Sequence, residues 1–253
     1  MRHLTATVAV AAIGLFVAGC GSDNKSTPAS SSTTTTTTTT TSSKPPVAQA
    51  ALGSFLLSPA EIDSLLGTTG MASQQKFDKP LDDNGKQHWA QGWTWPADCI
   101  YALGPAEGPV VADSKFTAVS GDDDTAPLPP GSTDINSEVT QAVILFPSAD
   151  DAKSFFTTSS QRWQACSNRQ FISPGDGTPD LTWKVGPIST ANATLSATLS
   201  MSGTQNGTTQ TMGCQRALTV RNNVAIDAFV CRNDAGDTGV QVANQIASKV
   251  DKQ

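Results

Sequence analysis

The chain has 253 residues and a formal net charge of −6, and its isoelectric point lies near 4.8. Only 15% of the residues are charged. The acidic balance excludes the positive surface that nucleic-acid binding requires, so no nucleic-acid partner is expected. Hydrophobic residues make up 38%, which is enough to form one packed core.

The N-terminus has the features of a secretory signal. Arg2 supplies a positive charge, and residues 4–18 form an apolar run that is too short to span a bilayer. Small residues precede Cys20 in an arrangement that resembles the bacterial lipobox, whose cysteine receives a diacylglycerol thioether. We therefore predict a lipoprotein signal peptide over residues 1–19 and a lipid anchor at Cys20, on the outer face of the cytoplasmic membrane. The alternative is an ordinary thiol near a cleavage site.

Residues 20–53 are predicted to form a disordered tether. The segment contains nine consecutive threonines, residues 33–41, among serines and prolines, so it has almost nothing to bury. Such a composition is typical of a glycosylated stalk and equally of an unmodified linker. As a flexible coil it would reach roughly 30 Å and hold the folded part away from the membrane, and sugars on the threonines would stiffen it.

Residues 54–253 are predicted to form a single α+β domain. Ser58 is placed to cap a helix that begins with Pro59, and Glu61 completes a capping box. Gly67 is expected to end this helix, because glycine readily adopts the left-handed conformation found at helix ends.

The segment 121–134 is rich in Asp, Pro and Gly and is predicted to be a loop. It contains three adjacent carboxylates without the ligand spacing of a cation site, so we expect them to be solvated: Asp122, Asp123 and Asp124. A strand over residues 139–146 and a helix capped by Ser148 follow. Apolar residues recur at helical spacing in that helix and place Cys166 in the core beside Trp163.

The segment 213–231 predicts a hairpin with its own disulfide bond. Asn222 and Asn223 separate two β-prone runs, and asparagine tolerates the positive φ that a two-residue hairpin turn requires. With these residues as the turn, Cys214 lies opposite Cys231 in a pair without backbone hydrogen bonds. The Cα atoms of such a pair are about 4.5 Å apart, a distance that a disulfide tolerates.

The two other cysteines of the domain are assigned by elimination. An even number of cysteines in an oxidising compartment favours disulfides, and the wide spacing argues against zinc. Cys99 is therefore predicted to pair with Cys166. No metal ion and no cofactor are expected.

A third strand, residues 193–201, precedes the hairpin, and Asn206 with Gly207 is a strong turn signal. The resulting meander has two apolar faces, as expected of a sheet flanked by helices. One face is predicted to carry the disulfide with Leu195, Leu199, Leu218, Val220 and Phe229, and the other face Ala217, Val224, Ile226 and Val230. Arg216 and Asp227 lie diagonally across the first face and are interpreted as a partly sheltered, structural ion pair.

Several stretches occur in a characteristic order: LLSPAEIDSLLG, a cysteine after a Trp-rich segment, VILFPSADDAKSFF followed by WQAC, then GCQRALTVRNNVAIDAFVC and QVANQIASKV. Over residues 54–251 this order resembles the extracellular sensor domain of PknH-type mycobacterial serine/threonine kinases, which also occurs in stand-alone lipoproteins. The resemblance implies an antiparallel sheet flanked by helices, two disulfides, a surface cleft for an unidentified ligand and no catalytic residues. Because the sequence has no kinase domain and no spanning helix, any sensing output is expected to pass through a protein partner.

The Trp-rich segment KQHWAQGWTW supplies the candidate ligand-binding residues Trp89, Trp93 and Trp95. Trp93 and Trp95 share one face of a strand, and exposed aromatic rings would stack on sugars or acyl chains of the envelope. The alternative is packing in the core. His88 lies in the same segment, and a structural role is expected for it rather than catalysis.

The sequence thus predicts a lipid-anchored envelope protein that is not an enzyme. Its domain is expected to bind an unknown small ligand or envelope component and to act through a partner. The alternative is a structural or protein-interaction lipoprotein without a small ligand, and the third hypothesis is a hydrolase. A deep cleft of mixed polarity favours the first hypothesis, whereas a flat or convex apolar patch favours the second.

Overall fold

The computed structural model describes residues 44–81, 95–128, 136–174 and 179–253. The predicted signal peptide, lipid anchor and most of the tether lie outside the described residues, as do His88, Trp89 and Trp93. No helix within the described ranges has the length and apolar character needed to cross a bilayer.

Within these ranges, eight antiparallel strands form one sheet in the spatial order β1-β2-β3-β8-β7-β6-β5-β4. The strands are β1 Ala72–Phe77, β2 Ala118–Ala126, β3 Ser137–Leu145, β4 Gln170–Ser173, β5 Leu181–Ala191, β6 Thr194–Gln205, β7 Thr208–Arg221 and β8 Val224–Arg232. The helices are α1 Pro59–Leu66, α2 Ile100–Leu103, α3 Gly108–Val111, α4 Ala149–Trp163 and α5 Thr238–Asp251, with 3₁₀ turns at Gln49–Ser54 and Gln164–Cys166. The predicted α+β class with a helix-flanked antiparallel sheet is confirmed.

The helix ends follow from local side-chain chemistry. Ser58 and Glu61 form the predicted capping box, in which the Glu61 carboxylate accepts the Ser58 backbone N–H at 2.7 Å. Gly67 ends α1 with a φ of 65°. The Ser148 hydroxyl accepts the Asp151 N–H at 3.1 Å and so caps α4. Each bond satisfies a backbone donor or acceptor that the helix itself leaves unpaired.

The sheet has one apolar core on each face. Helices α2, α3 and α4 pack on one face of the sheet, where they meet Leu195, Leu199 and Leu218 of the strands. Helices α1 and α5 pack on the other face, where they meet Ala217 and Ile226. Successive residues of a strand point to opposite faces, which separates the two sets. The predicted division of the meander into two apolar faces is therefore confirmed.

The hairpin β7–β8 has the predicted register. Asn222 has a φ of 50°, and Cys214 lies directly opposite Cys231. The two form a disulfide with a Cα–Cα distance of 4.1 Å. The second disulfide joins Cys99 to Cys166 at a Cα–Cα distance of 4.8 Å.

The prediction of a loop over residues 121–134 is wrong for its first six residues, which belong to β2. Strand β2 pairs with β1 on one side and with β3 on the other. Its carboxylates are not all solvated: Ser73 donates to Asp122 at 2.5 Å, and the buried Gln141 amide donates to Asp124 at 3.0 Å. Neighbouring strands have overridden the turn preference of the Asp residues.

The folded part begins before the expected boundary at residue 54. Residues 47–57, here called the N-terminal strap, pack onto the face covered by α5. The Asn223 side-chain amide accepts the Val47 N–H at 2.7 Å and donates to its carbonyl at 3.2 Å. Gln141 makes the same pair of bonds with Leu57, both at 2.8 Å. The side-chain amides of Asn223 and Gln141 thus supply hydrogen bonds to the strap backbone that a neighbouring strand would otherwise supply.

Candidate ligand-binding clefts

Trp95 does not lie on a binding surface, contrary to the hypothesis drawn from the Trp-rich segment. Its side chain is 7% exposed and packs edge-to-face against Trp183, with ring centroids 5.2 Å apart, and against Phe171 at 6.3 Å. The alternative of core packing holds for this residue because these rings complete the apolar cluster beneath β4 and β5. Trp89 and Trp93 lie outside the described residues, so their role stays a prediction.

The first cleft, here called the N-terminal cleft, lies between the strap with the start of α1 on one side and strands β1 and β2 on the other. Its volume is about 610 Å³. Leu56, Pro59 and Glu61 form one wall, and Lys76 and Asp122 lie on the other. Apolar and charged side chains therefore face each other across one opening.

Charged groups on the strap side are fixed in place. Lys249 donates to the Glu61 carboxylate and to the Leu56 carbonyl, both at 2.9 Å. The hydrogen bond from the Ser58 backbone, followed by that from Lys249, lowers the pKa of Glu61. This wall of the cleft therefore presents a carboxylate that is ionised at neutral pH.

Behind the opposite wall, Asp124 is buried beneath the strap. Burial raises the pKa of Asp124 to about 6, and the nearby Asp122 and Asp123 add to the shift. The hydrogen bond from Gln141 and the charge of Lys76 oppose it. A carboxyl group in this position changes its charge in mildly acidic solution.

A second cavity, here called the α4 groove, has a volume of about 180 Å³. One wall is α4, with Asp151, Phe155 and Arg162, and the other is the chain from α2 to Lys115, with Tyr101, Val110, Asp113 and Lys115 itself. The Arg162 guanidinium lies 4.5 Å from the centre of the Tyr101 ring and 3.2 Å from the Asp113 carboxylate. Lys115 and Asp151 form another ion pair across the groove at 3.0 Å.

A buried ion pair supports both walls of the α4 groove. The sequence predicted that Arg216 and Asp227 are partly sheltered, but their side chains are only 1% and 0% exposed. Two hydrogen bonds of 2.9 and 2.7 Å join them. Arg216 also donates to the Tyr101 carbonyl at 2.9 Å and lies 4.7 Å from the centre of the Trp163 ring in α4.

The burial of this pair follows from contacts that sequence spacing does not reveal. The Asp227 carboxylate accepts the backbone N–H of Ala106 at 3.0 Å, from a turn 121 residues away in sequence. That turn covers the pair and excludes water. Within the described residues, no group of three or more His, Cys, Asp or Glu side chains is arranged to hold a metal ion.

Comparison with known proteins identifies the family. The family model described as "PknH-like extracellular domain" matches residues 47–249. The chain belongs to this family. The match begins at the first buried residue of the strap, Val47, and includes both disulfides.

Relatives of this PknH-like family member include two kinases. The serine/threonine-protein kinase PknH of Mycobacterium bovis is 26% identical over 208 residues, which are 82% of this chain and 32% of that protein. PknH of Mycobacterium tuberculosis is also 26% identical over 208 residues, 30% of its length. The chain therefore spans about a third of the length of the curated relatives it matches.

A crystal structure of the extracellular domain of PknH from Mycobacterium tuberculosis has the same fold. It superposes with a TM-score of 0.69 at 26% identity and covers 83% of this chain and 99% of that chain. The similarity is to an extracellular domain and not to a catalytic domain. The family predicted from the sequence is confirmed.

Proposed function

We propose that this protein is a lipid-anchored envelope protein whose PknH-like extracellular domain binds a small ligand and acts through a protein partner. The predicted lipobox at Cys20 supports the anchor, and membership of an extracellular domain family supports a location outside the cytoplasm. The domain carries no catalytic role in this proposal, because its similarity is to a non-catalytic part of the kinases.

The N-terminal cleft is the structural feature that best supports ligand binding. Its volume of about 610 Å³ lies within the range of roughly 300–1,000 Å³ that is usual for small-molecule sites. Its walls combine apolar surface with a few fixed charges. In small-molecule sites the apolar surface contributes contact area, and the few charged or polar groups fix the orientation of the ligand. The strap, which forms one wall together with the start of α1, includes the last residues of the predicted tether, so a ligand bound there would contact the end of that tether.

Native mass spectrometry of protein released intact from its own membrane tests ligand binding. The variant Ser120→Leu places a larger side chain in the cleft, and Ser189→Leu makes the same change at an exposed position of β5 outside it. We expect a ligand adduct on the wild type and on Ser189→Leu, and its loss from Ser120→Leu. Lys76→Gln is a second cleft variant for the case that Ser120→Leu does not fold, and it is expected to weaken the adduct. An adduct retained by both cleft variants, or no adduct on the wild type, would contradict this assignment.

Membrane attachment has its own test at Cys20. The wild type is expected to partition into the detergent phase after extraction and to carry the mass of a lipid. The variant Cys20→Ser is expected to remain in the aqueous phase without that mass. Detergent partitioning by the variant would mean that another feature holds the protein on the membrane.

The alternative, a protein-interaction module without a small ligand, is favoured by one observation on β4. This strand forms one edge of the sheet, and Ile172 on it is 58% exposed. The backbone groups of an edge strand can pair with a strand of another protein chain, and an exposed apolar side chain beside them adds contact area.

The hydrolase hypothesis requires a nucleophile that lies within reach either of His88 or of a carboxylate with a shifted pKa. His88 lies outside the described residues, so this hypothesis stays a prediction.

A further inference from the structure

Charges of both signs face each other across the mouth of the α4 groove. Arg162 pairs with Asp113, and Lys115 pairs with Asp151. One member of each pair is highly exposed, since the side chains of Asp113 and Lys115 are 74% and 79% exposed. Solvent screens such pairs, and holding two long side chains together costs entropy, so a ligand with its own charges can replace them.

Each charged group suits one end of a small zwitterion. The Arg162 guanidinium has a planar fork of donors that matches a carboxylate. The Ser148 hydroxyl, followed by Lys115, lowers the pKa of Asp151, which keeps this carboxylate available for an ammonium group. A ligand that carries only one of the two charges would displace both pairs without giving the groups of the other sign a new partner.

The interior of the groove limits the size of its ligand. The buried side chains of Val110 and Phe155 line it together with the Tyr101 ring and the Ser159 hydroxyl. A volume of 180 Å³ is that of about six water molecules at roughly 30 Å³ each. A small amino acid such as alanine has this size, whereas an aromatic amino acid is too large.

The groove is held in shape before any ligand arrives. The Cys99–Cys166 disulfide joins the chain before α2 to the chain after α4, so it fastens the two walls at one end. Beneath them, Arg216 contacts both walls, through the Tyr101 carbonyl and the Trp163 ring. A site with fixed walls loses little conformational entropy on binding.

We infer that the α4 groove binds a small zwitterion of the amino-acid class, with its carboxylate at Arg162 and Lys115 and its ammonium at Asp113 and Asp151. The apolar interior accepts a short side chain. This site is separate from the N-terminal cleft and shares none of its lining residues. Its occupancy therefore does not depend on the ligand proposed for that cleft.

Titration of the full chain with three probes, followed by amide chemical shifts in NMR spectra, tests the inference. L-Alanine carries both charges, propionate carries only the carboxylate, and ethylammonium carries only the ammonium. We expect saturable shifts at Lys115 and Thr158 with L-alanine, at least tenfold weaker binding of either half-molecule, and no binding of L-tryptophan. Absence of saturation by L-alanine, or equal binding of propionate or ethylammonium, would overturn the assignment.

Two variants localise the binding. Arg162→Met keeps an aliphatic stem over Tyr101 but removes the charge, and Arg169→Met makes the same change in an exposed arginine that pairs with Asp98 outside the groove. We expect at least tenfold weaker binding of L-alanine by Arg162→Met and unchanged binding by Arg169→Met. Asp113→Asn, which removes an exposed carboxylate, provides a second groove variant in case Arg162→Met does not fold. Unchanged affinity in a folded groove variant would refute the site.

Discussion

Asp124 is a carboxyl group that the fold buries between the sheet and the N-terminal strap. One of its oxygens accepts a hydrogen bond from Gln141, whereas Oδ1 has no hydrogen-bond partner among the residues that the structure describes. Burial raises its pKa to about 6, above the value of 3.8 that it has when unfolded. The folded state therefore binds this proton more tightly than the unfolded state does. The resulting stability is complete below pH 4 and is lost as the pH rises through about 6.

We predict that Asp124→Asn removes this part of the pH dependence. The wild type should gain on the order of 1 kcal/mol in its free energy of unfolding between pH 7.5 and pH 5 from this group, and the variant should lack that gain. Urea unfolding at both pH values measures the difference. Asp78→Asn, at an exposed position near the same cleft, is the matched control and should change with pH as the wild type does. An Asp124→Asn variant that retains the full pH response would show that other groups cause it.

Among single residues, those with a local signal could be predicted from the sequence. The caps Ser58 and Ser148 are recognisable because a helix start depends on residues within one turn. The burial of Arg216 depends on the main chain of Tyr101, 115 residues away. The role of Asn223 as a partner of Val47 depends on a contact across 176 residues. Such contacts join parts of the chain that are far apart in sequence, so spacing along the chain does not reveal them.

At the scale of elements, the β7–β8 hairpin is the most predictable part of the fold. A two-residue turn fixes the register, and the register places Cys214 opposite Cys231. Strand β2 is the contrasting case. Its acidic residues have a low intrinsic preference for strands, and their place in the sheet comes from hydrogen bonds made by Ser73 on β1 and Gln141 on β3.

The two disulfides are expected to stabilise the fold by different amounts because they close loops of different length. On the chain-entropy relation, closing 67 residues between Cys99 and Cys166 contributes about 4 kcal/mol. Closing 17 residues between Cys214 and Cys231 contributes about 3 kcal/mol. We predict that replacing the first pair with serine lowers the free energy of unfolding more than replacing the second pair does.

Guanidinium unfolding of the two double variants under oxidising conditions measures this order. In each variant the remaining disulfide should stay intact, which mass spectrometry after alkylation of free thiols can verify. Free thiols at Cys214 and Cys231 in the first variant, or at Cys99 and Cys166 in the second, would contradict the connectivity. A larger loss from the Cys214 and Cys231 pair would show that the packing of the hairpin outweighs loop length.

At the scale of the whole molecule, the strap fastens the N-terminal end of the folded part to the core. It contributes four buried apolar residues to the core shared with α5: Val47, Leu52, Phe55 and Leu57. Burial of such side chains is worth about 1.5–3 kcal/mol each. The protonation of Asp124 acts on a smaller energy scale, so pH alone does not release the strap.

We therefore predict that the strap unfolds only with the rest of the domain. Leu52→Ala should lower the free energy of unfolding by about 2–5 kcal/mol, because it leaves a cavity beside α5. Leu56→Ala, at a half-buried position of the same strap, should cost less. In hydrogen exchange, the amides of Val47 and Leu57 should be as protected as those of α5, since both belong to one packed core. Much faster exchange at the two strap amides would mean that the strap detaches by itself, and a pull on the tether would then open the N-terminal cleft before it unfolded the domain.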